Sequence, residues 1–124
     1  PYHVLVVDDE PDLRNVLARI LERRRHTVDQ ASNGEEAWRK LQRLHYDCVL
    51  LDLRMAGTDG QQLFQRIRAS DPGLAANVIF ITGDLANART RSFLNSLPNL
   101  VLEKPISTRD LEGALLAMTE KNLR

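Results

Sequence analysis

Side chains able to bind a cation or a phosphoryl group follow four of the short apolar segments of this chain. Each stands directly after a run of mainly apolar residues, and the set comprises Asp8, Asp9, Asp52, Thr82 and Lys104. Such runs are typical of buried β-strands. If the strands are parallel, their carboxyl ends meet at one edge of an open sheet, where ligands bind in α/β folds. Three carboxylates, a hydroxyl and an ammonium would then converge.

The chemistry of this set favours a divalent cation and a phosphoryl group. Carboxylates packed together repel one another unless a cation relieves them, and Mg²⁺ typically uses one or two carboxylates together with water and phosphate oxygens. Lys104 could contact a phosphoryl oxygen as a compact cation, and Thr82 could do so through its hydroxyl. Gly83 has no side chain and would leave room beside them. A single Asp at a strand end is more often a solvated loop residue, so the interpretation depends on the whole set.

The segments that must position these residues alternate between strand and helix patterns. The predicted strands are 4–7, 27–31, 47–52, 77–82 and 100–103. Between and after them lie five amphipathic stretches with helical spacing; the fourth is Ala86–Leu97, and the last follows a plausible N-cap at Ser107. Strands alternating with helices in this way predict an α/β fold, in which a doubly wound parallel sheet is covered on both faces.

Composition limits the function classes. At 124 residues the chain is predicted to be a single domain, residues 1–124. Its 17 basic and 17 acidic residues balance, which gives no indication of nucleic-acid binding or of attraction to a membrane surface. The one cysteine, Cys48, fits a reducing compartment and hence the cytoplasm. No apolar stretch is long enough for a membrane helix. The chain begins with Pro1 rather than Met, which suggests processing or excision from a longer polypeptide.

Taken together, the motifs resemble those of the receiver domain of bacterial two-component response regulators. The matching segments cover essentially the whole chain: Val7-Asp8-Asp9-Glu10, Asn33-Gly34-Glu35-Glu36-Ala37, Asp52-Leu53-Arg54-Met55, Asp59-Gly60, Ile81-Thr82-Gly83 and Glu103-Lys104-Pro105. The resemblance implies a flavodoxin-like sheet of five parallel strands in the order 2-1-3-4-5 with five helices. Each motif is short, but their order and spacing together are specific.

The resemblance also implies a role for each residue of the set. Asp52 would be the phosphoacceptor, and Thr82 and Lys104 would contact the phosphoryl oxygens. Mg²⁺ (or Mn²⁺) would be bound by Asp9, Asp52 and the backbone carbonyl of Arg54, with Asp8 acting through a metal-bound water. The phosphoryl donor would be a phosphohistidine on a sensor histidine kinase or a histidine phosphotransfer protein. The domain would assist its own phosphorylation and dephosphorylation without being an enzyme in the ordinary sense.

Phosphorylation would then switch an interaction face built by the fourth helix, the fifth strand and the fifth helix, through which a homodimer could form. Two positions depart from the family pattern. Val101 stands where the family usually has Tyr or Phe, so the usual coupled movement of an aromatic ring is absent and the domain could act mainly as a phosphate sink. Ala56 stands where a Pro is common. The loop at Thr82 and the non-aromatic Val101 resemble the corresponding features of receiver domains in hybrid sensor kinases.

Arg54 and Asp84 are predicted to form an ion pair that shields the phosphoryl group from water. Three other functions are alternatives to a phosphoacceptor. A receiver-like module that takes no phosphate would work by protein interaction alone. A flavodoxin-like cofactor protein would have no use for Lys104 and the three carboxylates. A phosphohydrolase with an aspartyl nucleophile is disfavoured, because it needs an acid where Arg54 stands.

Overall fold

The computed structural model describes residues 1–55 and 60–122. Ala56 and Asp59, which belong to the motifs after Asp52, lie outside the described residues. The described part contains five strands and six helices, which alternate except that α3 and α4 are consecutive: β1 (His3–Val7), α1 (Pro11–Arg23), β2 (Thr27–Ala31), α2 (Gly34–Arg43), β3 (Cys48–Asp52), α3 (Gly60–Ser70), α4 (Pro72–Ala75), β4 (Val78–Thr82), α5 (Ala88–Asn95), β5 (Val101–Glu103) and α6 (Thr108–Asn122). None of the helices in these residues is long and apolar enough to cross a membrane.

The strands form one sheet in the order β2-β1-β3-β4-β5, and every neighbouring pair is parallel. This confirms the predicted doubly wound topology. Val7 at the end of β1 pairs with Ala31 and with Leu51, so three strands end at the same level. All residues of β3 and β4 are buried, because helices cover both faces of the sheet. β2 is an edge strand and is largely half-buried.

Alternate side chains of the strands supply two separate hydrophobic cores. On one face, Leu5, Val49 and Phe80 belong to a cluster with residues of α2, α3, α4 and α5. On the other face, Val6 and Leu50 belong to a cluster with residues of α1 and α6. The two-residue period of a strand sends successive side chains to opposite faces, so both cores hold the strand ends in register.

The helices differ from the prediction in two places. The sequence pattern predicts five helices, whereas the structure has an additional one-turn helix, α4, in the break after α3. This helix begins with Pro72, and Asp71 caps it by accepting a hydrogen bond from Leu74 N at 3.0 Å. The predicted fourth and fifth helices are therefore α5 and α6. The predicted helix Ala86–Leu97 is shorter, because Asn87 acts as the N-cap and accepts from the backbone of Arg89 and Thr90. At α6, the Ser107 hydroxyl accepts from Asp110 N at 3.0 Å, as expected of an N-cap.

The start of α3 packs directly on the end of β3 at Gly60. The backbone N–H of Gly60 donates to Leu53 O at 3.1 Å. A β-carbon at Gly60 would lie 2.3 Å from the carbonyl oxygen of Asp52 and 2.7 Å from the Cα of Leu53. Both contacts are to main chain, which cannot move aside by changing rotamer. Glycine is therefore required where α3 approaches the strand that carries Asp52.

Gly60→Ala should lower the free energy of unfolding by about 2–3 kcal/mol, because the added methyl group overlaps buried main chain. Gly113→Ala is the matched control, since a β-carbon there meets nothing within 4 Å in the middle of α6. It should stabilise the protein by about 0.5–1 kcal/mol through helix propensity. Urea unfolding followed by circular dichroism measures both. Equal effects of the two substitutions would contradict the close approach at Gly60.

Candidate functional site

Four strand ends converge on one buried polar site. Asp8 follows β1, Asp52 and Thr82 are the last residues of β3 and β4, and Lys104 follows β5. The parallel register carries all four to the same edge of the sheet. Asp8, Asp52 and Thr82 are at most 2% exposed. The structure thus brings together the residues that sequence reasoning selected, and their burial makes their mutual electrostatics strong.

Lys104 lies at the centre of the site. Its Nζ is 3.2 Å from Oδ2 of Asp52, 3.3 Å from Oδ2 of Asp8 and 3.2 Å from Oε1 of Glu10. Its backbone N–H donates to Thr82 O at 2.8 Å, which anchors the residue to β4. One ammonium therefore forms ion pairs with three carboxylates, two of which are buried. Glu10 belongs to the sequence motif, but no sequence pattern assigns it a role; only the tertiary structure places it against Lys104.

The charges alter how Asp52 and Lys104 hold protons. Burial raises the pKa of the Asp52 carboxyl to about 6; the hydrogen bond from Arg54 N opposes this rise, the charge of Asp8 adds to it, and Lys104 opposes it. Burial by itself would lower the pKa of Lys104, but the carboxylates of Asp52 and Asp8 hold it above its ordinary value. Lys104 is thus a permanent cation, whereas ionised Asp52 is destabilised while no further positive charge is present.

Hydrogen bonds fix both the backbone and the side chain of Asp8, whereas the neighbouring Asp9 is exposed. Asp8 N donates to Ala31 O at 3.1 Å, and Asp8 Oδ1 accepts from Glu10 N at 2.8 Å. The other oxygen, Oδ2, is buried and accepts no hydrogen bond from any described residue, although it pairs with Lys104. Ligand oxygens of Asp8, Asp9 and Glu10 can all lie within 4.8 Å of one another. A buried carboxylate oxygen that accepts no hydrogen bond, beside an acidic cluster, fits a hard cation bound directly or through water.

The residues expected to tune the site lie around its rim. Arg54 N donates to Asp52 Oδ1 at 3.0 Å, and the Arg54 guanidinium lies 3.0 Å from Oδ2 of Asp84. The predicted Arg54–Asp84 ion pair is therefore present; its effect on dephosphorylation stays a prediction. Asp84 N donates to the Thr82 hydroxyl at 3.1 Å. A β-carbon at Gly83 would make only ordinary 3.7 Å contacts with the Lys104 side chain, so the space at Gly83 is not tightly restricted.

Val101 lies in β5 and is half-buried against the core cluster that includes Phe80.

A cleft of about 660 Å³ opens beside the site. Its lining includes Asp9, Arg54 and Met55 from one side and Asn87 from the loop before α5. Asp9 and Arg54, which adjoin the buried residues of the site in the chain, thus face a solvent-accessible cleft.

Comparison with known proteins gives a consistent result. The family described as "Response regulator receiver domain" matches residues 4–116. The transcriptional regulatory protein ResD of Bacillus subtilis is 39% identical over 110 residues, covering 87% of this chain and 44% of that regulator. The chain thus spans less than half the length of this relative.

Two solved structures are similar over nearly their whole length. Response regulator TrrA of Thermotoga maritima, determined in complex with Mg²⁺-BeF, is 31% identical with a TM-score of 0.81, covering 95% of this chain and 99% of that one. The receiver domain of sensor histidine kinase PA1611 of Pseudomonas aeruginosa, determined with a magnesium ion in its active-site cleft, is 26% identical with a TM-score of 0.83. The match covers 94% of this chain and 96% of that domain.

Because the pKa of Asp52 is raised, ionised Asp52 should lower the free energy of unfolding of the metal-free protein in a pH-dependent way. The folded state holds the Asp52 proton more tightly than the unfolded state, so stability falls as pH rises from about 4 to about 6. Asp52→Asn should therefore raise the free energy of unfolding at pH 8 by about 1–2 kcal/mol, less than the full shift implies because the site opens to solvent on one side.

This gain should shrink through pH 6 and vanish below about pH 4, where the wild-type carboxyl is protonated in both states. Urea unfolding in the presence of a chelator, at several pH values, measures it. Glu120→Gln, at an exposed carboxylate of α6, serves as the control and should show no comparable pH-dependent difference. A loss of stability in Asp52→Asn at pH 8 would show that ionised Asp52 is not destabilised.

Proposed function

Because the chain belongs to the family of response regulator receiver domains, we propose that Asp52 accepts a phosphoryl group from a phosphohistidine on a partner protein. A receiver domain of two-component signal transduction is a phosphoacceptor rather than an enzyme in the ordinary sense. The observation that carries the assignment is the contact of Lys104 Nζ with Oδ2 of both Asp52 and Asp8 at the buried strand edge. The donor would be a sensor histidine kinase or a histidine phosphotransfer protein.

Asp52 acts as the nucleophile in this proposal. Its Oδ1 is oriented by Arg54 N, and its Oδ2 faces Lys104. A carboxylate oxygen forms a P–O bond while the P–N bond to the donor imidazole breaks, and the electron pair of that bond returns to the imidazole nitrogen. Lys104, permanently charged, would stay with the phosphoryl oxygens as negative charge spreads over them. The donor ring would approach from the cleft lined by Asp9 and Arg54.

We propose that Asp9, Asp52 and the backbone carbonyl of Arg54 bind Mg²⁺, or Mn²⁺ in its place, with Asp8 acting through a metal-bound water. The bound cation would neutralise charge on the transferring phosphoryl group. Support comes from the acidic cluster around Asp9, from the buried Oδ2 of Asp8, which accepts no hydrogen bond from the described residues, and from the magnesium present in the two similar structures. A divalent cation would also relieve the repulsion between Asp8 and Asp52 that burial makes costly.

Switching would begin at Thr82. Its hydroxyl accepts a hydrogen bond from Asp84 N and can turn to donate to a phosphoryl oxygen on Asp52, which adds strong acceptors. The 82–86 loop would follow and bias the face formed by α5, β5 and α6, which is also the face proposed for a homodimer. Leu100 and Leu116, at 40% and 60% exposure, give this region apolar surface. Val101 supplies no ring to move, so the signal would pass through α5, or the domain would serve as a phosphate sink.

We further propose that residues 1–124 form one receiver domain, supported by the single sheet and by the family match to residues 4–116. The domain would be part of a larger regulator or of a hybrid sensor kinase, since the chain spans 44% of ResD and is similar to the receiver domain of a kinase. A cytoplasmic location fits the single reduced Cys48, which is buried in β3.

Asp52→Asn should abolish phosphorylation by a small acyl phosphate such as acetyl phosphate in the presence of Mg²⁺, because the amide is not a nucleophile. Intact-mass measurement on freshly labelled protein checks this. Asp110→Asn, at an exposed residue of α6, should label like the wild type. Stoichiometric labelling of Asp52→Asn would contradict the assignment. A wild-type protein that neither labels nor shows NMR shifts near Asp52, Thr82 and Lys104 with Mg²⁺ and beryllofluoride would instead be a receiver-like interaction module.

Arg54→Ala should speed loss of the phosphoryl group by about two- to five-fold, because an exposed ion pair is worth about 0.5–1 kcal/mol. The substitution removes the guanidinium that pairs with Asp84 and keeps the backbone N–H that orients Asp52. Asp84→Ala should have the same effect, and the double variant should not be faster than either single one. Decay of the labelled mass with time measures the rates. An unchanged rate in Arg54→Ala would rule out shielding.

A further inference from the structure

Arg14 in α1 makes two contacts that the phosphoryl chemistry does not use. Its guanidinium donates from NH1 to the backbone carbonyl of Asp8 at 2.6 Å and from Nε to the side-chain oxygen of Gln30 at 3.3 Å. Both acceptors are neutral, and no ion pair of Arg14 with a carboxylate is found among the described residues. A short charge-assisted bond from an arginine to a main-chain carbonyl is a strong, directional contact.

Arg14 carries a positive charge near the end of α1 where the helix dipole disfavours one. It lies in the first turns of α1, where its own N–H donates to Glu10 O at 3.1 Å. A cation there opposes the helix dipole, which favours acidic residues such as Asp12 at that end. Glu10, the N-cap residue, provides no side-chain cap because its carboxylate pairs with Lys104. The hydrogen bond to the Asp8 carbonyl therefore gives a reason for a positive charge at a position where the helix dipole is unfavourable to it.

The carbonyl that Arg14 holds belongs to the peptide unit joining Asp8 to Asp9. The unit is planar, so fixing its oxygen fixes the direction in which the chain enters Asp9. The neighbouring groups of this segment are already held: Asp8 N by Ala31 O, and Glu10 N by Asp8 Oδ1. Arg14 completes this set of restraints on the loop between β1 and α1.

The second contact makes the restraint rigid. Gln30 lies in β2, where it pairs with Val6 of β1. Its side-chain amide donates to Asn15 at 3.3 Å, and its backbone carbonyl accepts from Lys40 of α2. Arg14 thus connects the Asp8–Asp9 peptide to an edge strand that is itself fixed by α1 and α2.

We propose that Arg14 is a positioning residue for the divalent cation: by holding the Asp8 carbonyl, it keeps the Asp8 and Asp9 carboxylates oriented for metal binding. This rests on the proposed Mg²⁺ site. Residues that orient metal ligands without touching the metal typically change affinity by about 10- to 100-fold when removed. Arg14 contacts the ligand segment through one carbonyl, so we expect the lower end of that range.

Arg14→Met should weaken Mg²⁺ binding by about 10-fold, measured by titrating isotope-labelled protein and following the amide NMR signals of Asp9 and Glu10. In the metal-free protein, it should also speed hydrogen exchange of the Glu10 amide, which donates to Asp8 Oδ1. Arg14→Lys should restore affinity in part, because an ammonium can bond the carbonyl but lacks the planar fork by which the guanidinium reaches Gln30 from a second nitrogen. Arg19→Met, at an exposed arginine of the same helix, is the matched control and should bind like the wild type.

Wild-type affinity and unchanged Glu10 exchange in Arg14→Met would overturn the inference while leaving the proposed function intact. Absence of Mg²⁺-dependent shifts in the wild type itself would overturn the proposed metal site, and the inference with it. If Arg14→Met does not fold, Gln30→Leu replaces it as the test, since it removes the contact of Arg14 with Gln30 and keeps the bond from Arg14 to the Asp8 carbonyl. About three-fold weaker binding is then expected, and unchanged affinity in Gln30→Leu would overturn the inference.

Discussion

The site depends on an unequal balance of charge at the buried edge of the sheet. Asp8 and Asp52 are almost completely buried, and one ammonium, that of Lys104, lies within 3.3 Å of both. Glu10 competes for the same ammonium. Burying an ionised carboxylate is costly unless it is paired, and one cation cannot fully compensate two or three anions. Burial is the main cause of the raised pKa of Asp52, and the charge of Asp8 adds to it. The negative charge that Lys104 leaves uncompensated makes the site suitable for a further cation.

The architecture serves this charge balance by connecting distant parts of the chain. Lys104 follows β5, yet its side chain reaches carboxylates at the ends of β1 and β3. Its main chain is bonded to Thr82 of β4, so these strand ends cannot move independently. On the solvent side, the Arg54–Asp84 pair connects the segment after β3 to the loop after β4. In the proposed switch, a change of charge at Asp52 would therefore act on the loop that leads into α5.

Much of this arrangement could be predicted from residue patterns. Four of the five strands carry their own signal in a short apolar run, and a parallel sheet necessarily places the residues after those runs at one edge. The Arg54–Asp84 pair was also predictable, because each residue lies two positions beyond a site residue on adjacent strands. The errors have local causes: Asn87 capped α5 later than periodicity implied, and Asp71 with Pro72 formed one helical turn where only a break was expected.

The sequence by itself determined the chemistry of the site, since the residue types and the strand pattern are properties of short segments. Only the tertiary structure decided which groups compete for which charge. The contact of Glu10 with Lys104 joins residues far apart in the chain, and the bond from Arg14 to the Asp8 carbonyl depends on how α1 leaves the sheet. No periodicity encodes such contacts, because they arise from the packing of α1 against the strands and from the orientation of one peptide unit.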